Sequence, residues 1–205
     1  MINLVLDPVH NDTPLWRWNA ASSYTSKSTY DMLWHGSVRC ASAAAIWKCW
    51  APLSCKIFMW LAMQYPLWTA DRRLRHGLQD HTSACYICAQ EEDSIDHLLL
   101  HCVFARQVWH NCFLKARISD TLVPTVYDKI EDWWLEARAC IPKVNRRGFD
   151  SVVMLICWHL WKHRNGLVFG PARTSLTVGA FTSQVFDVLR SWVSAGANGV
   201  EIFCE

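Results

Sequence analysis

Apolar residues recur at helical spacing along most of the chain, and only one stretch reads as paired strands. Residues 15–18 and 23–25 flank a small-residue turn at 19–22, the pattern of a short N-terminal β-hairpin. Thr25 or Ser26 then caps a helix in which Tyr30, Leu33 and Trp34, at i, i+3 and i+4, set one apolar face inward. A second helix holds Ile46, Trp47 and Trp50 and ends at Pro52. In the next, Ile57, Phe58, Trp60, Leu61 and Met63 cover nearly the whole circumference, which predicts a central element. Pro66 stops it, Thr69 caps a short basic helix over 71–76, and Gly77 stands at the stop position. A cysteine-rich segment and a helix reaching Phe113 follow, then a turn at 121–124. Three more helical patterns cover 127–139, 147–169 and 176–194. The middle one carries Val152, Val153, Leu155, Ile156, Trp158, Leu160 and Trp161 and is the expected core of the second half. The prediction is a mainly α protein: an arm over 1–14, a small domain over 15–114, a helical extension over 121–195 and a tail over 196–205.

Composition narrows the function classes. The 205 residues (23.7 kDa) suffice for one compact domain or two small ones. A hydrophobic fraction of 52% against 19% charged excludes intrinsic disorder. Net charge is +2 and the pI about 8.1, too balanced for a wholly electrostatic nucleic-acid binder. Asp7 and His10 interrupt the apolar start, so no secretory signal is expected. The longest apolar runs, 57–63 and 152–158, fall far short of the roughly 20 residues of a membrane span. These features predict an intracellular protein, nuclear or cytoplasmic, with no membrane role.

Ten cysteines in such a chain point to thiols or metal rather than a disulfide framework. Cys40, Cys49, Cys55, Cys112, Cys140, Cys157 and Cys204 stand alone and read as small buried hydrophobes. Cys85-Tyr-Ile-Cys88 is different, because eight residues later comes His97-Leu-Leu-Leu-His101-Cys102. Two thiols on a tight turn and two donors from a following helix can close a tetrahedron around one structural zinc. On an ideal helix His97 and His101 share a face, whereas Cys102, at i+5, is rotated by about 140°. Helix geometry therefore favours His101 as fourth ligand, and Cys102 can serve if the helix starts late, frays or tightens near His97. The acidic residues Glu91, Glu92, Asp93 and Asp96 read as a solvated loop, with Asp96 near a helix start.

These residues resemble a known family. Tyr24-Thr-Ser-Lys27-Ser28-Thr-Tyr30, Ile46-Trp47-Lys48, Trp50-Ala51-Pro52, Lys56-Ile-Phe58-Met-Trp60-Leu61-Ala62, Trp68-Thr69-Ala-Asp71-Arg72 with Gly77, the ligand run and Trp109 stand in one order. That order is similar to the zinc-binding domain following the reverse transcriptase in plant LINE-type retrotransposon polyproteins. Trp158-His-Leu-Trp161-Lys162-His-Arg164-Asn165 with Val168-Phe169 resembles the helix that commonly follows it, and Trp192 with 195–197 fits its tail. The resemblance implies a zinc knuckle with Cys85, Cys88, His97 and Cys102 as ligands. Ser22 stands where the family has a glycine, which puts the hairpin turn in doubt.

Catalysis is not expected. The chain has no adjacent Asp pair for a two-metal site, and no P-loop, G-x-S-x-G or H-E-x-x-H motif. Cys157 and His159 lie in an aromatic helix and read as packing, and no small-molecule substrate is predicted. The resemblance raises binding of RNA or single-stranded DNA as an inherited role, with Arg72, Arg73, Arg75, Lys143, Arg146, Arg147, Lys162 and Arg164 as candidate contacts. The alternative is a host-adopted protein-interaction module, or a remnant, in which Trp16, Trp18, Trp133 and Trp134 mark an exposed aromatic face.

Overall fold

The computed structural model describes residues 15–35, 40–78, 83–125, 127–170 and 175–204. The arm at 1–14 therefore lies outside the described residues. The chain divides into two compact units, residues 1–40 and 41–205. The described residues are mainly helical, and their only strand-like pairing is an isolated antiparallel bridge between Ala84 and Glu92.

In the first unit, helix α1 (Ser26–Leu33) starts from a capping box. The Ser28 amide donates to Thr25 Oγ1 (3.1 Å) and the Thr25 amide to Ser28 Oγ (3.2 Å). The expected hairpin before it is a loop without strands. Trp16 N–H reaches Ser22 O (3.1 Å), but the Asn19 side chain takes both the amide and the carbonyl of Ser23, replacing the next rung of a ladder. The face of α1 expected to turn inward is open, with Tyr30, Leu33 and Trp34 all exposed. A two-turn helix needs a second element to cover it, and the described part of this unit supplies none.

The second unit is organised around α7 (Arg146–Phe169), whose residues from Val152 to Cys157 are all essentially inaccessible. Around it pack α2 (Ala43–Lys48), α3 (Leu53–Met63), α5 (Val103–Lys115), α6 (Ile130–Cys140) and α8 (Val178–Ser194). A 3₁₀ turn, Asn198–Phe203, closes its N-terminal end, and α4 (Ala70–Arg75) carries the basic run. The central helix is α7 rather than α3. At 24 residues it is long enough for neighbours along its whole length, whereas α3 has 11. Cys55, Phe58, Met59 and Ala62 of α3 are buried, with Phe58 set against Trp158 and Trp161 at ring distances of 5.4 and 6.0 Å. Leu53, Ile57 and Leu61 form an exposed stripe on its other side.

Three of the tryptophans go into this core. Trp109, Trp133 and Trp134 are buried, and each indole N–H is satisfied, by Leu99 O (2.7 Å), Leu122 O (2.8 Å) and Asp150 Oδ1 (3.1 Å). Trp133 and Trp134 therefore do not belong to an exposed aromatic face. Trp18 is exposed and Trp16 half-buried against Tyr24.

Two packing details carry predictions. A Cβ on Gly148 would collide with the carbonyl oxygen of Gly199, and one on Gly199 with the Trp50 indole. Gly148→Ala should therefore lower stability by about 1–3 kcal/mol, the usual cost of overpacking, read from urea midpoints. Asp150 is buried beneath Trp134 and accepts Arg138 Nε at 2.9 Å. Burial pushes its carboxyl up to about 6, against the pull of Arg138. A folded-state value above the unfolded one makes the protonated form the stabilising one. Its contribution is full below pH 3.8 and is lost as pH rises through about 6. Asp150→Asn removes that loss, so its stability relative to wild type should improve from pH 4 to pH 7 in paired denaturation curves.

Candidate metal centre

The knuckle is held by its own small frame. Beside the Ala84–Glu92 bridge, Cys85 N–H donates to Glu91 O (2.7 Å) and Asp93 N–H to Ser83 O (2.8 Å). Between these rungs the chain turns tightly, with Ala89 N–H returning to Cys85 O at 2.8 Å. The amides of Ile87 and Cys88 point at the Cys85 sulfur, an arrangement that favours thiolate. Ala89 closes the turn at φ +54°, a left-handed backbone that glycine adopts more easily.

The second ligand pair comes from a widened turn. Residues His97–His101 are π-helical, and Cys102 N–H donates to His97 O at 2.7 Å. An i to i+5 turn sets residue i+5 over residue i, as an α-turn does for i+4. Cys102 thereby comes onto the face of His97, and His101 turns away, its Nε2 lying 2.7 Å from Tyr127 O. The segment widens, where a late start, fraying or tightening was expected. Leu98, Leu99 and Leu100 are buried along it, which anchors the turn in the core.

Ligand atoms of Cys85, Cys88, His97 and Cys102 all lie within 4.8 Å of one another, with Cys88 Sγ and His97 Nε2 3.3 Å apart. A tetrahedral zinc with ordinary Zn–S and Zn–N bonds needs donors roughly 3.5–3.8 Å apart, so the four residues fit one ion. His97 Nδ1 lies 2.9 Å from Glu91 Oε2. That partner holds the proton on Nδ1 and leaves Nε2 free to ligate. Three of the four ligand residues are buried and the fourth is half-buried. Zinc bound here would supply a cross-link between knuckle and π-turn.

Without metal the donors share protons. The Cys102 thiol hydrogen-bonds to Cys85 and holds it far below the usual thiol range, and Cys102 is raised in consequence and by burial. Burial pushes His97 down, but hydrogen bonds with Cys85 and Cys88 outweigh it and raise the imidazole to about 9. Ligation requires thiolates and a neutral imidazole, so metal competes with these protons.

Residues 24–109 match the family described as zinc-binding in reverse transcriptase. That stretch is similar to a reverse-transcriptase-type zinc-binding domain. The match contains all four ligands and ends at Trp109, whose indole clamps Leu99 within the π-turn. Over 179 residues the chain is 26% identical to a candidate ribonuclease H protein of Arabidopsis thaliana, covering 82% of this chain and 27% of that protein. The chain thus spans about a quarter of that relative's length. No solved structure matches the chain significantly.

The acidic segment beside the zinc-binding site is not a solvated loop. Asp93 is inaccessible, accepts the Ala70 amide at the start of α4 (3.0 Å) and pairs with Arg164 Nη2. Asp96 accepts the Ile130 amide at the start of α6 (3.1 Å), and Glu91 orients His97. Glu92 is exposed. No periodicity marks Glu91 or Asp93 for these roles, because their partners lie on a separate turn or a separate helix.

The candidate nucleic-acid contacts are scattered among different duties. Arg164 lies inside the protein, paired with Asp93 and set 5.3 Å from the Tyr86 ring. Arg146 donates to Ile141 O and Ala139 O (2.9 Å each), capping the end of α6. Arg147 donates to Lys48 O (2.6 Å) at the end of α2 and lies over Trp50. Lys143 and Lys162 are exposed. Arg72, Arg73 and Arg75 stay together on α4, with Arg75 paired to Asp71. None of the ten cysteines is in a disulfide, and no helix among the described residues is long and apolar enough to cross a membrane.

Proposed function

We propose that the chain is a non-catalytic, zinc-stabilised module of a longer retrotransposon-type polypeptide that holds single-stranded nucleic acid, RNA or DNA. The observation that carries this reading is the closed donor set. Two thiols from the knuckle, one from the start of α5 and an imidazole from the π-turn complete a tetrahedron, leaving no position for a reactive water. Zinc of this kind acts through folding energy, so the function falls to the surface it orders. Next to it stands α4, whose start is bonded to Asp93 of the zinc-binding segment and whose residues include Arg72, Arg73 and Arg75. The balanced net charge restricts the basic surface to such local clusters. Titration of zinc-loaded protein with labelled single strands at several salt concentrations tests the reading. The logarithm of the affinity should fall linearly with log salt, and absence of binding at low salt would overturn the reading.

A second reading has its own observation. Leu53, Ile57 and Leu61 repeat every fourth residue along α3 and are exposed, and Trp47 on α2, in ring contact with Trp60 of α3, is exposed too. A protein partner seated there would associate through apolar area, with little dependence on salt.

A further inference from the structure

A cleft of about 340 Å³ opens beside α4, bounded by the 65–69 loop, the 94–96 turn and Lys129 at the start of α6. This is the small end of the range for ligand clefts. Its walls carry three cations, Arg72, Arg75 and Lys129, and two carboxylates, Asp71 and Asp96. Both carboxylates are already engaged. Asp71 accepts from Thr69 Oγ1 and Arg75, and Asp96 from the Ile130 amide and the Tyr65 hydroxyl.

Arg72 is held in place, with one Nη donating to Tyr65 O and the guanidinium 5.4 Å from the Trp68 ring centroid. Its Nε is buried and finds no hydrogen-bond partner among the described residues. Lys129, also on the lining, is exposed. Tyr65 is 43% exposed and sits at φ +58°, a left-handed conformation that a tyrosine keeps only where its surroundings hold it. An oriented guanidinium, an exposed ammonium and a partly exposed aromatic ring thus line one small cleft.

We propose that this cleft takes one unpaired nucleotide of a single strand, its phosphate between Arg72 and Lys129 and its base against Tyr65. The proposal rests on the nucleic-acid reading above and names the place where the strand is held. A paired base cannot reach such a ring without leaving its stack, so the cleft selects single strands over duplex. Trp68 acts as a positioning residue, through its contact with the Arg72 guanidinium.

The test uses the full zinc-loaded chain and fluorescein-labelled 12-mers of deoxythymidine and uridine, read by anisotropy at several salt concentrations. Lys129→Gln and Arg72→Gln should each weaken binding and reduce the salt slope by about 0.7, the value for one phosphate on a single strand. Tyr65→Ala should weaken it roughly fivefold to 100-fold with the slope unchanged. Lys162→Gln, on the exposed side of α7, should change neither. Zinc content and helicity check the fold of each variant, and Lys129→Gln, at an exposed site, keeps the test decisive if the others misfold. Wild type that binds strands while Lys129→Gln and Tyr65→Ala keep its affinity and slope overturns the cleft and leaves the broader reading standing. Wild type that binds no strand overturns both.

Discussion

Cys85→Ser and His97→Ala should each purify without zinc, against about one ion per wild-type chain, and lose part of their helicity. His101→Ala should keep its zinc. The contrast follows from the π-turn, which brings Cys102 over His97 and sends His101 to the Tyr127 carbonyl. Apparent binding energies of structural zinc are on the order of 10 kcal/mol, and here that energy is folding energy for the segment between the bridge and α5. The loss should spread beyond the ligands, because Asp93 ties the same segment to α4 and α7. Metal analysis of these four proteins and Cys102→Ser, with circular dichroism during chelator addition, reads both effects. Zinc lost from His101→Ala and kept by Cys102→Ser would reverse the ligand assignment.

Removal of either member of the Asp93–Arg164 pair should be the most damaging change away from the ligands. Both side chains are completely inaccessible. Taking away one partner leaves the other charged and buried, which costs about 3–5 kcal/mol. Asp93→Ala also strips the Ala70 amide of its acceptor, so it should be at least as harmful as Arg164→Met. Replacing both, as Asp93→Leu with Arg164→Met, should recover much of the loss, because no unpaired charge remains. Denaturant midpoints of the two single variants and the double variant give the coupling. Additive losses in the double variant would show that the pair does not act as a unit.

Arg164 also shows how far a sequence can be read. From its neighbours Lys162 and His163 it looks like part of a basic surface, yet its helical position faces the zinc-binding segment 71 residues earlier in the chain. Asp93, in an acidic run, looks solvated for the same reason. Each charge is buried only because the other is there, and neither local pattern contains that information. The open stripe of α3 is a similar case. Its all-round apolar pattern predicts a central helix, but α7 takes the centre because it is long enough to be covered along its length.

The identity of the donors was legible because metal ligation demands particular atoms at short range. Two thiols separated by two residues, then a histidine and a cysteine nearby, suffice to name a zinc-binding site. The choice between His101 and Cys102 was not legible from helix geometry, which points to the wrong face. Only the resemblance to the family favoured Cys102, and the widened turn supplies the reason. The same holds for Trp133 and Trp134, whose indole donors needed Leu122 O and Asp150 to be buried at all.

The sequence by itself determined what is encoded in local pattern and composition: a mainly helical chain, a helix capped at Thr25 or Ser26, the long apolar helix around Val152–Cys157 and a four-donor zinc motif. These depend on interactions over a few residues, or on chemistry that only a few side chains possess. The tertiary structure alone decided which helix is central, which histidine ligates and which charges are buried. Those outcomes depend on partners tens of residues away, and the energy of a buried charge or a widened turn is set by what surrounds it.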